Sequence, residues 1–200
     1  GAIWAAIGPE RALGCIAYPS INSTGPGIIQ HQFGSRFLLG EPDGSKSKRS
    51  EQVQQAFLDA GLRSDVVSDI RSSLWLRIMA SAAFSLVSVL TSKKPGDMFI
   101  NYRLRREVVE IMNDIVAVAK SLGITPSMTP KELLDVSVLL GEHKTLMLQD
   151  LEGGRQLEIG ALVTAVQELG RNTGAATDKL DTVAELAAEI GRSAGCYPKK

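Results

Sequence analysis

The apolar residues of this chain follow two different periods, and the change between them falls near residue 68. From about residue 10 to residue 70 they come in short runs rich in branched side chains, ALGCIAYPSI and GIIQHQF, which are typical of strands. The run NSTGPG predicts a turn between these strands, and FGS predicts a hairpin into RFLLGE. RSDVV predicts a last short strand. We therefore expect strands to be confined to this first part of the chain.

One amphipathic helix is predicted among these strands. Between Glu51 and Leu62, apolar residues recur at helical spacing, and Gly61 is a suitable helix end. The members of this stripe are Val53, Ala56, Phe57 and Ala60. About four strands and one helix are too few for a twisted sheet that is covered on both faces. We therefore expect more of the domain to precede Gly1.

After Ser68 the pattern becomes helical, and we expect at least five helices. The first runs from about Asp69 to Leu90, is capped by Ser68 or Asp69, and ends at KKPGD. Its predicted buried stripe is Ile70, Leu74, Ile78 and Ala82. A second long stripe ends at Gly123, where a left-handed residue is favoured, and consists of Leu104, Val108, Ile111, Ile115, Val118 and Leu122.

Three further helical segments are predicted towards the end of the chain. Thr129 followed by Pro130 is a helix start, and the helix runs toward Gly141. Residues 146–170 and 177–191 are also helical by pattern. Gly153 and Gly154 interrupt the first of these two segments, because glycine weakens a helix by about 1 kcal/mol relative to alanine.

Composition and charge narrow the classes of function. The chain is 44% hydrophobic and carries 22 basic and 22 acidic residues, so overall charge does not indicate a nucleic-acid or membrane surface. No uninterrupted apolar run reaches the ~18 residues expected of a membrane span. Cys15 and Cys196 lie far apart without a Cys/His cluster, which favours reduced thiols in the cytoplasm over a disulfide or a zinc site. The expected partner is a small molecule.

Residues 143–170 carry the most specific pattern in the chain. They resemble a signature of ketopantoate reductases of the form SMLQD, two or three residues, GR, and then a glutamate in TEID or MEID. The matching residues are Met147, Leu148, Gln149, Asp150, Gly154, Arg155, Glu158 and Ile159. Further matches in the same order are Pro26, Gly27 and His31, then LGEPDG, then Asp69–Arg71 with Leu74 and Trp75, and then VAVAKSLGI. The resemblance covers essentially the whole chain.

This resemblance implies an α+β fold in two parts. Residues 1–68 would be the remnant of a Rossmann NADP-binding domain, and residues 69–200 an all-α domain for substrate binding and dimerisation. The second part would be like the C-terminal domain of 6-phosphogluconate dehydrogenases. The chain would correspond to the C-terminal two thirds of such an enzyme and lack its nucleotide-binding start. Unpaired strand edges in the incomplete sheet also lead us to expect a homo-oligomer or pairing with a missing partner.

The resemblance also implies a reaction. In such enzymes NADPH gives a hydride to the keto carbon of 2-dehydropantoate, a lysine protonates the carbonyl oxygen, and asparagine, serine and glutamate side chains hold the substrate. Four positions of this chain depart from that pattern. Arg77 stands at the lysine position, Ser81 and Ser85 at two asparagine positions, and Leu146 at the serine position. Arg77, Ser81 and Ser85 would share one helix face because they are spaced at i, i+4 and i+8.

The part of the family pattern that binds the cofactor is incomplete in this sequence. The 200 residues contain no GxGxxG, the fingerprint of a dinucleotide-binding turn. By resemblance, Ser20 and Glu158 would contact the nucleotide, and Glu158 would also contact the substrate. We therefore expect NADP(H) to serve the full-length family but to bind poorly to this chain alone.

Several of these residues also have simpler interpretations that involve no ligand. Without its motif, Arg77 would be an ordinary solvated arginine and Glu158 an ordinary surface charge. Asp150 and Arg155 favour a salt bridge over ligand contact, and the Gly153–Gly154 pair indicates close helix packing or close approach to a ligand. Three hypotheses follow: an NADPH-dependent 2-oxoacid reductase, a non-catalytic relative that binds a ligand or dimerises, and a purely structural helical domain. The four departures favour the second, whereas Glu158 and the signature disfavour the third.

Overall fold

A computed structural model of the chain describes residues 2–137 and 143–198. They form two compact units, Gly1–Leu74 and Trp75–Lys200. The first unit contains all the strands of the described part, and the second is built of helices. The predicted α+β class is confirmed, and no strand lies among the described residues after residue 70. The predicted domain boundary after Ser68 stays a prediction.

The first unit is organised around a three-stranded sheet. Strand β4 (Arg36–Gly40) lies in the middle, antiparallel to β1 (Gly14–Ala17) and parallel to β5 (Arg63–Val66). Helix α2 (Lys48–Asp59) connects the two parallel strands, so β4, α2 and β5 form one βαβ unit. Helix α1 (Ala2–Ile7) precedes the sheet, in a stretch for which the sequence analysis predicted no element.

Strands β2 (Ser20–Gly25) and β3 (Ile28–Phe33) form a separate antiparallel hairpin. The predicted turn at NSTGPG is therefore wrong in extent, because its first four residues belong to β2. The turn is Pro26–Gly27, and Gly27 has φ +73°, as the third position of a type II turn requires. Proline fixes the second position of such a turn, so the local chemistry places the reversal two residues later than predicted.

The predicted hairpin from FGS into RFLLGE is also wrong. Strand β3 pairs with β2, whereas β4 pairs with β1 and β5. Residues 34–35 only separate two different sheets, and Gly34 has φ +78°. A short glycine-containing link has the same appearance in sequence whether the following strand pairs with the preceding one or leaves it.

A buried carboxylate fastens the start of α2 to the sheet unit. Glu41, directly after β4, is 4% exposed and accepts hydrogen bonds from the Ser47 hydroxyl and, at 2.7 Å, from the Arg49 guanidinium. Ser47 is the N-cap of α2 and accepts from the Ser50 amide at 3.1 Å. Arg49 also donates to the carbonyl of Ala12 at 3.2 Å. These contacts hold helix and strand in one arrangement.

Helix α3 (Ile70–Thr91) is preceded by Asp69, whose carboxylate accepts from the Ser72 amide at 2.8 Å. The predicted stripe on α3 is only partly right, because Leu74 is 44% exposed whereas Trp75 and Met79 are buried. The helix is apolar around most of its circumference, so no single stripe marks its buried side. Among the described helices, α3 is long and apolar enough to cross a bilayer. However, 56% of its most apolar 18-residue stretch is buried within the protein.

Six more α-helices follow α3 in the described part of the second unit, so the prediction of at least five helices after Ser68 is confirmed. Helix α5 packs against α4, α6, α8 and α9. A π-helical turn, Gly160–Thr164, leads into α8. The helices are α4 (Pro95–Ile100), α5 (Tyr102–Ser121), α6 (Pro130–Val136), α7 (Leu146–Glu152), α8 (Ala165–Thr173) and α9 (Asp178–Ser193).

The structure confirms the helix ends that the sequence predicts at Gly123 and Thr129. Gly123 has φ +76° after α5. Thr129 caps α6 in a capping box with Glu132, and Pro130 is the first helical residue. Helix α6 ends at Val136, and the predicted run to Gly141 lies outside the described residues. The predicted stripe of α5 is buried except at its ends, where Leu104 is half-buried and Leu122 is 38% exposed.

Candidate functional site

The candidate substrate residues on α3 form a row that passes from solvent into the protein. Arg77 is exposed, Ser81 is half-buried and Ser85 is only 6% exposed. The three residues are spaced one helical turn apart, so they lie on one face of α3. The rest of this helix is firmly packed, with Met79, Ala82 and Leu86 fully buried. A rigid helix therefore presents one cation followed by two hydroxyl groups at increasing depth.

The residues of the signature motif in and directly after α7 are joined to one another by hydrogen bonds. The guanidinium of Arg155 donates to the Asp150 carboxylate at 2.8 Å, and the Arg155 amide donates to the Asp150 carbonyl at 2.8 Å. The expected pairing of Asp150 with Arg155 is thus confirmed. The Gln149 side chain donates to the carbonyl of Lys144 at 2.9 Å and so ties the loop before α7 to the helix.

The Gly153–Gly154 pair ends α7. Gly153 is the C-cap, and Gly154 has φ +66°, a left-handed conformation that glycine adopts readily. A Cβ on Gly153 would lie 2.4 Å from the Arg155 guanidinium, whereas one on Gly154 would have no neighbour within 4 Å. The pair therefore serves the turn and the Asp150–Arg155 contact. Of the two interpretations of the pair, close helix packing has no contact to support it at Gly154, and close approach to a ligand stays a prediction.

Leu146 is the first residue of α7 and is 58% exposed. The N-cap Thr145 accepts from the Leu148 amide at 3.3 Å, and Met147 and Leu148 are buried. These anchors turn Leu146 away from the core. A polar side chain at this position would face solvent, whereas leucine places an apolar surface there.

Glu158 is an exposed residue between two buried anchors. Leu157 and Ile159 are 2% and 3% exposed, and the Leu157 amide donates to the Cys196 carbonyl at 2.8 Å. The π-helical turn follows directly, and such turns occur often at functional sites. The anchoring role of Cys196 was missed by sequence analysis, since a backbone hydrogen bond leaves no signal in residue type.

The structure places the predicted site residues in both units. Arg77, Ser81, Ser85, Leu146 and Glu158 belong to the second unit. Ser20, the first residue of β2, is half-buried and belongs to the first unit. The three α3 residues lie together on one face of that helix. Leu146 lies before the segment that the Asp150–Arg155 pair joins, and Glu158 lies after it. In the described residues no cluster of His, Cys, Asp and Glu could hold a metal ion.

The class defined by this architecture is an α+β protein in which a small, partly parallel sheet unit is followed by an all-helical unit. Residues 69–191 match the family model described as ketopantoate reductase PanE/ApbA C terminal. The 2-dehydropantoate 2-reductase of Mesorhizobium japonicum is 39% identical over 98% of this chain and 60% of its own length. The chain belongs to the ketopantoate reductase family.

Solved structures agree with this assignment. The crystal structure of 2-dehydropantoate 2-reductase from Methylococcus capsulatus superimposes with a TM-score of 0.86 at 27% identity, over 96% of this chain and 67% of that one. A D-mandelate dehydrogenase solved with NADH and anilino(oxo)acetate has the same fold, with a TM-score of 0.79 at 18% identity over 88% of this chain and 58% of its own. The chain spans about 60% of the length of the Mesorhizobium relative.

Proposed function

We propose that this chain is the substrate-binding part of an NADPH-dependent reductase that converts 2-dehydropantoate, or a similar 2-oxoacid, to the 2-hydroxy acid in pantothenate biosynthesis. The observation that carries this proposal is the row on α3, in which Arg77 lies in solvent and Ser85 in the core. Family membership supports the same substrate class. The two free cysteines are consistent with a cytoplasmic protein.

The row matches the chemistry of a 2-oxoacid. The guanidinium of Arg77 can pair with a carboxylate through two parallel hydrogen bonds, or stabilise negative charge on the carbonyl oxygen. Ser81 and Ser85 can each donate one hydrogen bond. A guanidinium stays protonated at neutral pH, so Arg77 binds and orients but does not supply a proton as lysine would. The proton that the carbonyl oxygen takes up after hydride transfer would then come from water. Leu146 and Glu158 are the proposed apolar and acidic borders of the site.

The dinucleotide does not fit the βαβ unit of this chain. Nicotinamide dinucleotides place their pyrophosphate at the N-terminus of a helix behind a glycine-rich turn. At the start of α2, the Glu41 carboxylate already accepts from Ser47 and Arg49. A carboxylate there repels a pyrophosphate, so we assign the hydride donor to another dinucleotide-binding element. Ser20 and Glu158 stay the proposed contacts to NADP(H) once such an element supplies it.

Isothermal calorimetry with ketopantoate tests the substrate site on this chain. Arg77→Ala removes a charge-assisted pair, and we expect binding to weaken by about tenfold or more. Arg103→Ala is the matched control, because Arg103 is an exposed arginine on α5 of the same unit. Equal loss in both variants, or no effect of Arg77→Ala, would show that Arg77 does not bind the substrate.

A second candidate is a non-catalytic relative that binds an oxoacid or serves in dimerisation. The observation that favours it is the replacement of the family's acid and polar positions by Arg77, Ser81, Ser85 and Leu146. Under this alternative, ketopantoate would still bind, but no 2-hydroxy acid would form even when a complete dinucleotide-binding domain is supplied. An oxoacid-binding relative would therefore differ from the reductase in turnover and not in affinity, whereas a relative that serves only in dimerisation would not bind ketopantoate.

A further inference from the structure

The hydroxyl of Ser85 differs from those of the other two buried serines in the described part of the helical unit. Ser88 donates to the carbonyl of Lys93 at 2.9 Å, and Ser137 donates to the carbonyl of Leu133 at 2.6 Å. Ser85 is only 6% exposed, but its hydroxyl makes no hydrogen bond among the described residues. Serines in helices often satisfy such a hydroxyl by bonding back to the preceding turn. Ser85 therefore keeps an unused donor.

The oxygen of Ser85 is not sealed within the core either. In the described part of the chain, the enclosed side-chain oxygen that lacks a partner belongs to Ser64. The Ser85 hydroxyl therefore retains some accessible surface, although the residue as a whole is buried. A buried hydroxyl without a partner is unfavourable, and a ligand that supplies a partner removes this cost. Ser85 thus has the properties of a ligand contact at the inner end of the row on α3.

Arg77 lies at the outer end of the same row, and the two ends are far apart. From Arg77 to Ser85 the helix rises by about 12 Å and turns by about 80°. This rotation carries the row from the exposed side of α3 to its buried side. Long helical side chains lean toward the helix N-terminus, so the guanidinium of Arg77 leans away from Ser85. Both side chains project outward from α3, so a ligand alongside the helix must cover most of this rise itself.

Ketopantoate is too short to join the two ends of the row. Each covalent bond of an extended chain advances by about 1.25 Å, and about five bonds separate a carboxylate oxygen of ketopantoate from its hydroxyl oxygen. The molecule therefore spans about 6 Å. Neighbouring members of the row are also separated by a rise of about 6 Å. Ketopantoate thus reaches from Arg77 to Ser81, but not from Arg77 to Ser85.

We propose that the site is selective for a longer 2-oxoacid, whose carboxylate pairs with Arg77 and whose chain ends near Ser85 in a neutral hydroxyl or carbonyl group. About seven to nine bonds between the carboxylate oxygen and the terminal oxygen give a span of about 9–11 Å. The terminal group is neutral because Ser85 is buried and carries no charge that could pair with a second carboxylate. This inference rests on the proposed function, since it keeps Arg77 as the group that binds the carboxylate.

Calorimetry of the unmodified chain with three matched ligands tests the proposed length. The ligand 7-hydroxy-2-oxoheptanoate has the required span, and 4-hydroxy-2-oxobutanoate is short. The third ligand, 2-oxooctanoate, is as long as the first but ends in a methyl group instead of the hydroxyl. We expect the long hydroxy acid to bind about fivefold more tightly than either of the others. Equal affinity for the long hydroxy acid and its methyl analogue overturns the proposal.

Removal of the inner hydroxyl gives a second readout. We expect Ser85→Ala to weaken binding of the long hydroxy acid by about fivefold and to leave binding of the short acid unchanged. Ser88→Ala is the matched control, because it removes a buried hydroxyl of the same helix that is already paired within the protein. We expect this control to change neither affinity. Equal losses in the two variants would show a structural effect and refute the proposal.

Arg77→Ala separates this inference from the proposed function. If Arg77→Ala weakens binding of all three ligands while Ser85→Ala weakens none, Arg77 binds the substrate and the proposed length is wrong. If Arg77→Ala has no more effect than Arg103→Ala on any ligand, the proposed function fails together with this inference.

Discussion

At the scale of single residues, the hydrogen bonds around Glu41 in the first unit change its pKa and link a strand to a helix. Hydrogen bonds from Arg49, assisted by the Ser47 hydroxyl, lower the pKa of Glu41 below its ordinary value despite the opposing effect of burial. The carboxylate is only 4% exposed and connects the end of β4 with the start of α2. Its charge is therefore part of what holds the βαβ unit together.

Glu41→Gln should reduce both the stability of the first unit and its sensitivity to acid. A carboxyl group whose pKa is lower in the folded state stabilises the fold above its unfolded pKa, and this stability is lost as pH falls through the folded pKa. At neutral pH we expect Glu41→Gln to lower the free energy of unfolding by about 1–3 kcal/mol. Below about pH 4 the difference from the unmodified chain should shrink.

Hydrogen exchange of the β4 and α2 amides at neutral and acidic pH measures this effect. Glu51→Gln is the control, since Glu51 is an exposed carboxylate on α2. A pH dependence that is the same in the unmodified chain and in Glu41→Gln would contradict the assignment.

At the scale of elements, α5 supplies the cap of α9. Thr177, the N-cap residue of α9, makes no side-chain cap hydrogen bond. Instead the carboxylate of Asp114, in the middle of α5, accepts from the Leu180 amide at 2.9 Å. Lys179 also pairs with Glu110 of α5, at 3.3 Å. Two helices distant in sequence are therefore joined at a helix terminus.

Asp114→Ala should destabilise the second unit by about 1–3 kcal/mol, because it leaves a buried amide without its acceptor. Leu180 is fully buried, so water does not readily replace the carboxylate. Asn113→Ala, at the neighbouring exposed position, is the control and changes helix propensity in the same direction. Urea unfolding of the three proteins gives the comparison, and equal stability of the two variants would exclude the capping role.

Elements defined by neighbouring residues were predictable, and elements defined by distant ones were not. The start of α6 at Thr129 and the end of α5 at Gly123 rest on local hydrogen bonds and backbone conformation. The partner of β4 depends on residues far away in the chain, so FGS predicted a hairpin that does not form. The face shared by Arg77 and Ser85 followed from helical spacing, whereas its passage from solvent into the core depends on tertiary packing.

At the scale of the whole molecule, the described residues form one parallel strand pair, and the Glu41 carboxylate lies at the start of the helix that connects its two strands. The Mesorhizobium relative is longer, and this chain spans 60% of it. Under the proposed reductase function, we expect the hydride donor to be bound by a dinucleotide-binding element other than this βαβ unit. Under the proposed function, the helical unit would contribute the oxoacid site and, through Glu158, one contact to the cofactor.

We predict that this chain binds NADPH weakly and reduces ketopantoate negligibly. Joining it to the part of the Mesorhizobium relative that it does not cover should restore NADPH binding, but Arg77→Lys alone should not restore full turnover. General acid catalysis is worth ~10² to 10⁴-fold. Lost positioning at Ser81, Ser85 and Leu146 can cost about 10²-fold from a displacement near 1 Å.

Calorimetry with NADPH and an absorbance assay with ketopantoate measure both effects. The comparison set is the joined protein, its Arg77→Lys variant, and that variant with Ser81→Asn, Ser85→Asn and Leu146→Ser. Micromolar NADPH binding by the 200-residue chain would contradict the assignment of the cofactor site. Rapid turnover with Arg77 unchanged would show that arginine serves this reaction without a lysine.

The π-helical turn at Gly160–Thr164 has a consequence for how such a site changes during evolution. A π turn accommodates one residue more than an α turn, so a single inserted residue is absorbed without disturbing the buried side of α8. Because each helical residue advances the chain by about 100°, removing one residue here would rotate Glu158 by that angle relative to Val163 and Val166. Because Leu157 and Ile159 are buried on either side of Glu158, a one-residue deletion in this turn would displace both of these anchors together with the proposed acidic border of the site.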